Sequence, residues 1–219
     1  MKVFIIGVTG AVGGLVAERL VARGVTVAGL VRREEQRERL ASRSVHAEVG
    51  DLADLSEDEL TTMLAETDVV VYAAGSNGGS AEATDAIDGA AVVKALAAAG
   101  AVDARFVLVS VLPESWRERD LGDDVEHYFA VKKETDVAVS RARSDWLIVR
   151  PSRLLDEPGR GTVSLGPAEL HDEIPREDVA DTLVELILEP RINRQILELN
   201  TGPTPIPEAV HGNVPDLSR

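Results

Sequence analysis

The chain has 219 residues, of which 44% are hydrophobic and 28% charged, so it can bury a core and fold as one domain. Lysine and arginine number 23 against 38 acidic residues, and the resulting formal charge of −15 disfavours nucleic acid and anionic membranes as partners. The chain has no cysteine, and its four histidines lack ligand spacing, so we expect neither disulfides nor a metal site.

The apolar run at the N-terminus is too short for a secretion signal. It covers residues 3–6, whereas a signal peptide needs roughly 7 to 15 apolar residues. Asp85, Asp88 and Lys94 interrupt the most apolar helix candidate, so no membrane-spanning helix is predicted. We therefore expect a cytoplasmic protein.

Six short apolar runs rich in β-branched residues alternate with helical patterns. They lie at residues 3–6, 26–31, 45–49, 69–72, 106–109 and 147–149. Strands separated by helices form parallel sheets, and continuous rather than alternating apolar runs indicate strands covered on both faces. The predicted fold class is therefore α/β, a doubly wound parallel sheet with helices on both faces and no large separate substrate domain.

Helical periodicity fills the gaps between these strands. Helices are predicted between the first two strands, ending near Gly24, and over residues 81–99, 123–143 and 176–188; residues 195–199 are expected to add a last strand. One domain should thus span residues 1–202. From Gly202 onward, four prolines and scattered glycines predict an irregular tail over residues 203–219.

A glycine-rich turn joins the first strand to the first helix. Residues 7–13 read G-V-T-G-A-V-G, a G-x-x-G-x-x-G spacing that allows a tight turn and lets a pyrophosphate approach the helix N-terminus. The alternative is an ordinary turn, but strand, turn and helix in this order favour dinucleotide binding. The candidate cofactor contacts in this turn are Gly7, Thr9, Gly10, Ala11, Val12 and Gly13.

Two arginines, Arg32 and Arg33, end the second predicted strand, where an NAD site places an acidic residue on the ribose 2′-hydroxyl. A guanidinium there suits a 2′-phosphate, to which Thr9 could add a hydroxyl. The alternative is a solvated helix start, because a charged run over residues 34–39 follows. We predict NADP(H) as the cofactor, with NAD the less favoured choice.

Short turns after the next two strands supply further candidate contacts. Asp51 and Leu52 follow the third strand and are placed for the adenine. Ala73, Ala74 and Gly75 follow the fourth and are placed for the sugar and nicotinamide. Either group could equally serve turn geometry alone.

Tyr128 and Lys132 lie four residues apart on a predicted helix and so share a face, and Ser110 ends the fifth strand. An ammonium near a phenol favours the phenolate, so Tyr128 could exchange a proton near neutral pH while Ser110 holds a carbonyl oxygen. The alternative for such spacing is a packed ring beside a solvated lysine.

Taken together, these motifs, with V-R-P at residues 149–151 and I-P-R-E-D-V-A at residues 174–180, resemble the small atypical NAD(P)H-binding members of the short-chain dehydrogenase/reductase superfamily. The resemblance covers roughly residues 1–199 and extends to flavin and biliverdin reductases and to NADP-sensing regulators. It implies a Rossmann fold in which Lys132 contacts the nicotinamide ribose and Pro151, Ser152 and Arg153 line the nicotinamide face.

The resemblance implies an NADPH-dependent oxidoreductase acting on a small carbonyl, quinone or flavin-type acceptor, with Ser110, Tyr128 and Lys132 as catalytic residues. A non-catalytic NADP(H) sensor is the alternative, because Asp88 stands where typical members have a relay asparagine and little chain follows Pro151. A nucleotide-sugar epimerase or dehydratase is disfavoured by the missing sugar-binding domain. We expect a monomer or a weak homodimer that takes a small-molecule substrate.

Overall fold

Apolar β-branched runs form the strands of one large sheet in the computed structural model, which describes residues 1–76, 79–112 and 121–216. Strand and helix alternate through the first third of the chain. The elements there are β1 (Lys2–Ile6), α1 (Ala11–Ala22), β2 (Thr26–Val31), α2 (Glu34–Ala41), β3 (Val45–Val49), α3 (Glu57–Met63) and β4 (Val69–Tyr72).

The helix expected over residues 81–99 is divided into three parts. It runs as α4 (Ala81–Thr84), a π-helical stretch (Asp85–Ala90) and α5 (Ala91–Ala101). The elements that follow are β5 (Arg105–Val109), α6 (Asp123–Ser140), β6 (Trp146–Pro151), β7 (Arg153–Leu155), β8 (Thr162–Gly166), β9 (Glu173–Pro175), α7 (Arg176–Leu188), β10 (Gln195–Thr201), β11 (Thr204–Pro205) and α8 (Ile206–His211).

The sheet has the order β3-β2-β1-β4-β5-β6-β10-β8-β11. The strands from β3 to β10 pair in parallel, and β8 and β11 complete the edge in antiparallel pairs. A separate parallel pair joins β7 to β9, with Leu154 opposite Ile174. The predicted doubly wound parallel sheet is confirmed, and the antiparallel edge adds to it.

Both faces of the sheet are covered by helices. Val3 and Ile5 of β1 belong to a core cluster under α1 and α7, whereas Phe4 and Ile6 belong to a second cluster under α3 and α5. This explains why the strands are continuous apolar runs. No helix among the described residues is both long and apolar enough to cross a bilayer.

The prediction of an irregular tail is wrong for residues 204–211, which form β11 and α8. Proline is tolerated in the first turn of a helix, where its missing N–H has no intrahelical partner, and Pro207 occupies such a position. Ile206, Ala209 and Val210 are buried in the α1 and α7 core cluster, so apolar burial overrides the turn-like composition. Residues 217–219 of that predicted tail lie outside the described residues.

Candidate functional site

A cleft of about 840 Å³ opens at the carboxyl ends of the parallel strands. It lies across β1 and β4, where the strand order reverses, which is the usual ligand position in open α/β sheets. Most predicted site residues come together in its wall. They are Gly7, Thr9, Gly10, Ala11, Val12, Arg32, Asp51, Leu52, Ala73, Ala74, Gly75, Ser110, Tyr128, Lys132 and Pro151. Four lie outside the wall: Gly13, Arg33, Ser152 and Arg153.

The glycine turn is shaped by close backbone approach. Gly7 has φ +95°, and a Cβ on it would lie 2.6 Å from the carbonyl carbon of Ala73, so the turns after β1 and β4 nearly touch. A Cβ on Gly13 would lie 2.3 Å from the Gly7 carbonyl oxygen. Gly13 therefore lets α1 pack closely against the glycine turn, although it does not line the cleft itself.

The N-terminus of α1 opens onto the cleft. Gly10 is its N-cap, no side chain caps the helix, and its first turn carries no acidic residue. A Cβ on Gly10 would come within 3.1 Å of the Gly7 carbonyl oxygen, so only glycine leaves this cradle open. Open backbone N–H groups and the positive end of the helix dipole suit a pyrophosphate.

Arg32 and Arg33 occupy different positions at the end of β2. Arg32 lines the cleft, whereas Arg33 is the N-cap of α2. Both backbone N–H groups donate to Gln36 Oε1 at 3.1 Å, as expected for a helix start. Neither guanidinium forms an ion pair with a residue that the structure describes. Arg32 is thus the arginine placed to meet an anion.

The position of Asp51 is compatible with both roles considered above, a cofactor contact and a turn residue. It lines the cleft after β3, and its Oδ1 accepts a hydrogen bond from the Ala53 N–H at 2.9 Å. The side chain therefore stabilises its own turn.

Lys132 is held by a buried carboxylate. Its Nζ lies 3.3 Å from Asp88 Oδ1 and 3.3 Å from the Val109 carbonyl oxygen. The lysine side chain is 3% exposed and that of Asp88 is 0% exposed. Asp88 Oδ2 also accepts the Ser76 N–H at 2.9 Å. The aspartate noted as a departure from the family pattern is the counter-ion of Lys132.

Asp88 reaches Lys132 from the π-helical stretch, a feature frequent at functional sites. The Tyr72 hydroxyl donates to the Ile87 carbonyl oxygen and ties this stretch to β4. A Cβ on Gly89 would lie 3.3 Å from Val131 Cγ1, so α6 also packs closely against it. The Asp88 carboxylate is therefore fixed from two sides.

The pKa of Tyr128 is raised, first because the phenol is buried and then because Asp88 and Asp136 lie near it. Lys132 Nζ lies 5.9 Å from the ring centroid, and its charge is paired with Asp88. The upward direction of this pKa shift is opposite to the shift expected from Lys132, and burial of the phenol is its largest cause. Tyr128 is a neutral phenol at physiological pH and can donate a proton.

Ser110 is buried beside a second ion pair. Ser110 lines the cleft, and its buried hydroxyl makes no hydrogen bond of regular geometry to the described residues, although it lies close enough to Asp136 to affect the pKa of that carboxyl. Asp136, one turn beyond Lys132 on α6, accepts a bond from Arg150 Nε at 2.8 Å. Burial raises the pKa of Asp136, while the Ser110 hydroxyl and Arg150 oppose that shift. An unpartnered hydroxyl at this place is available to a polar ligand.

The segment after β6 departs from the expected lining. Pro151 lines the cleft, but Ser152 is buried, with its Oγ 3.2 Å from His171 Nδ1. Arg153 forms an ion pair with Glu173 that ties β7 to β9. Neither residue lines the cleft, because Ser152 contacts His171 and Arg153 is engaged with Glu173.

Sequence reasoning missed several wall residues. Leu154 and Arg176 enter it from β7 and α7, which pack against the end of the sheet. Arg176 belongs to the I-P-R-E-D-V-A motif at residues 174–180, but that motif does not itself place the side chain at the cleft, because its placement depends on the β7 and β9 pairing. The other residues missed are Ile6, Leu30, Val31, Ile87 and Val109.

Comparisons with known proteins agree with this geometry. A family model described as NAD(P)H-binding matches residues 7–190. The chain is 32% identical over 217 residues to the uncharacterised sugar epimerase YhfK of Bacillus subtilis, covering 96% of this chain and 99% of the relative.

Two solved structures share the fold over nearly their whole length. A Bacillus halodurans protein, provisionally named an NAD-dependent epimerase/dehydratase, has a TM-score of 0.87 at 29% identity, with 97% of this chain and 99% of that chain covered. The oxidoreductase ylbE of Lactococcus lactis has a TM-score of 0.83 at 25% identity, with 97% and 96% covered.

Proposed function

Since the chain belongs to the NAD(P)H-binding family matched over residues 7–190, we propose that it is an NADPH-dependent oxidoreductase acting on a small carbonyl, quinone or flavin-type acceptor. One observation carries this proposal. The neutral phenol of Tyr128 and the unpartnered hydroxyl of Ser110 line the same cleft as the acid-free N-terminus of α1. A phosphate cradle and a proton donor therefore face one cavity.

The described residues fit a dinucleotide along the length of the cleft. The α1 N-terminus would hold the pyrophosphate, Arg32 the 2′-phosphate, and Lys132 the nicotinamide ribose. When bound, NADPH supplies a hydride to the acceptor. The preference for NADP over NAD rests on Arg32, the cleft-lining cation at the end of β2.

The chain itself supplies polarisation and a proton. Ser110 holds the acceptor oxygen with its hydroxyl, and Tyr128 transfers its phenolic proton to that oxygen as negative charge develops there. The raised pKa keeps Tyr128 protonated at neutral pH, which suits carbonyl reduction to an alcohol. The Lys132 ammonium is held between the Asp88 carboxylate and the Val109 carbonyl oxygen, which fixes its position.

A second candidate, epimerisation of a sugar substrate, is favoured by the description of the B. subtilis relative. Such a reaction consumes no net cofactor, because hydride removed from the substrate returns to it. Stoichiometric loss of NADPH absorbance at 340 nm with a carbonyl acceptor therefore separates the two activities. NADPH binding without consumption or isomerisation by the chain would support the sensor instead.

Tyr128→Phe tests the proposed proton donor. We expect NADPH oxidation with a neutral aldehyde to fall by about 10² to 10⁴-fold, the usual contribution of a positioned general acid, while NADPH affinity measured by fluorescence is unchanged. His127→Gln is the matched control, because His127 is the preceding residue on α6 and pairs with exposed Asp85 outside the cleft wall. Full aldehyde turnover in the Tyr128 variant would refute the assignment.

A further inference from the structure

Arg176 brings a cation to the wall of the cleft that Ser110 and Tyr128 also line. It begins α7 directly after β9, and it lines the cleft together with Pro151 and Leu154. Its side chain is 26% exposed, so it is not sealed in the interior. We propose that Arg176 binds a carboxylate on the acceptor substrate, which makes the substrates carbonyl compounds that bear a carboxylate. This inference rests on the proposed function and names its substrate class.

The other cations near the cleft are already engaged or lie elsewhere. Lys132 is paired with Asp88 in the interior, and Arg150 is bonded to Asp136 outside the cleft wall. Arg32 lies at the end of β2, on the opposite side of the β1 and β4 crossing point. Among the described residues that line the cleft, Arg176 is therefore the cation placed to select the acceptor.

The counter-ion of Arg176 is easily exchanged. Its Nη1 lies 2.6 Å from Asp156 Oδ1, and the Asp156 side chain is 88% exposed. Ion pairs with so exposed a partner contribute little, because water and salt screen them. A guanidinium has five N–H donors in a planar fork, so it can grip a ligand carboxylate through two parallel bonds.

The backbone around Arg176 is rigidly held. Ile174 is fully buried, and it lies opposite Leu154 in the β7 and β9 pair. Asp178, two residues further on, is also fully buried and accepts the backbone N–H groups of Arg160 and Gly161 at 2.8 to 2.9 Å. A fixed backbone lowers the entropy cost of using the guanidinium as an anchor.

A carboxylate fits this end of the cleft better than a phosphate. Pro151 and Leu154 beside Arg176 present apolar surface for an organic body. One guanidinium between apolar neighbours is thus matched to one carboxylate.

A pair of aldehydes differing only in charge tests the inference. With NADPH, kcat/KM for 4-carboxybenzaldehyde should exceed that for its neutral methyl ester, and Arg176→Gln should lower the acid-to-ester ratio about tenfold to a hundredfold. In the presence of NADP⁺, calorimetry should show the same loss for binding of 4-carboxybenzaldehyde. Arg176→Lys, which keeps the charge but not the fork, should lose less.

Two further variants separate ligand binding from a structural role. Asp156→Asn frees the guanidinium and should leave acid binding equal or tighter. Arg191→Gln, at an exposed arginine that pairs with Glu189 outside the cleft wall, should leave the ratio unchanged. The inference is overturned if Arg176→Gln affects acid and ester equally, if Asp156→Asn weakens the acid as Arg176→Gln does, or if the acid does not bind. Arg176-dependent binding of the acid with no NADPH consumption refutes the proposed function but keeps the anion site.

Discussion

Removing one partner of the buried Asp88 and Lys132 pair should destabilise the protein more than removing both. The two side chains are 0% and 3% exposed, and their atoms lie 3.3 Å apart. Asp88→Asn would leave a buried ammonium facing a neutral amide, and Lys132→Met a buried carboxylate held by the Ser76 N–H. An uncompensated buried charge costs about 3–5 kcal/mol, whereas replacing both partners is often nearly neutral.

Urea unfolding measures this effect. With an m-value of about 3 kcal/mol/M, at the upper end for small proteins, a loss of 3–5 kcal/mol lowers the midpoint by about 1 to 1.7 M. The double variant should recover most of that loss, and the coupling should persist in 0.5 M NaCl because buried pairs are poorly screened. Glu34 and Arg37, both 52% exposed, form the matched surface pair, for which coupling should be about 0–1 kcal/mol.

The result that would refute this reasoning is additivity. If the Asp88 and Lys132 substitutions together cost the sum of the single effects to within about 0.5 kcal/mol, the two charges do not depend on each other. Lys132 would then be stabilised by the Val109 carbonyl oxygen and the surrounding dipoles alone.

Three further expectations concern the cofactor and the phenols. Gly10→Val should abolish NADPH binding in a fluorescence titration and leave the circular dichroism spectrum unchanged, because its side chain would fill the cradle at the α1 N-terminus; normal binding would make the turn purely structural. Arg32→Ala should reduce the affinity for NADPH about tenfold to a hundredfold, so that it approaches the affinity for NADH. Arg33→Ala, outside the cleft wall, should leave the affinity for NADPH unchanged. Equal affinities of the unmodified protein for NADPH and NADH would contradict this. Burial raises the pKa of both tyrosines, Tyr72 and Tyr128, above the unfolded value of about 10. The folded state therefore keeps phenolic protons that the unfolded state releases above about pH 10. The contribution of the two tyrosines to the free energy of unfolding is complete below that pH and is lost as the pH rises further. Phenolate absorbance at 295 nm from the native protein below pH 10 would refute the raised pKa values.

The sequence predicts those parts of the site that depend on local backbone geometry. The glycine turn is recognisable because Gly7 and Gly10 are needed where a chain must turn tightly and leave space for a ligand. The strands are recognisable because burial on both faces requires continuous apolar runs such as residues 69–72. Both features can be recognised in short stretches of the sequence, and together they predict where the cleft lies.

The rest of the site depends on contacts between distant parts of the chain. Asp88 and Lys132 are 44 positions apart, and only the packing of the π-helical stretch against α6 brings them together. Asp136 continues the i, i+4 ladder of Tyr128 and Lys132, so helical spacing could have indicated it. The sequence motif at residues 174–180 includes Arg176, but its place at the cleft could not be predicted, because a two-stranded sheet made of short, partly charged strands brings it there.

The distribution of charge in the cleft limits what can react there. The interior acids Asp88 and Asp136 are each matched by a cation, which leaves the neutral Tyr128 and Ser110 as the polar groups at its centre. Among the described residues of the cleft wall, the cations without a buried counter-ion are Arg32, after β2, and Arg176, at the start of α7. A charged reacting group would lack a free counter-ion at the centre, whereas a neutral carbonyl would meet one donor for polarisation and one for protonation. Anionic groups at the periphery and a neutral group at the reacting centre are therefore the ligand pattern that this arrangement selects.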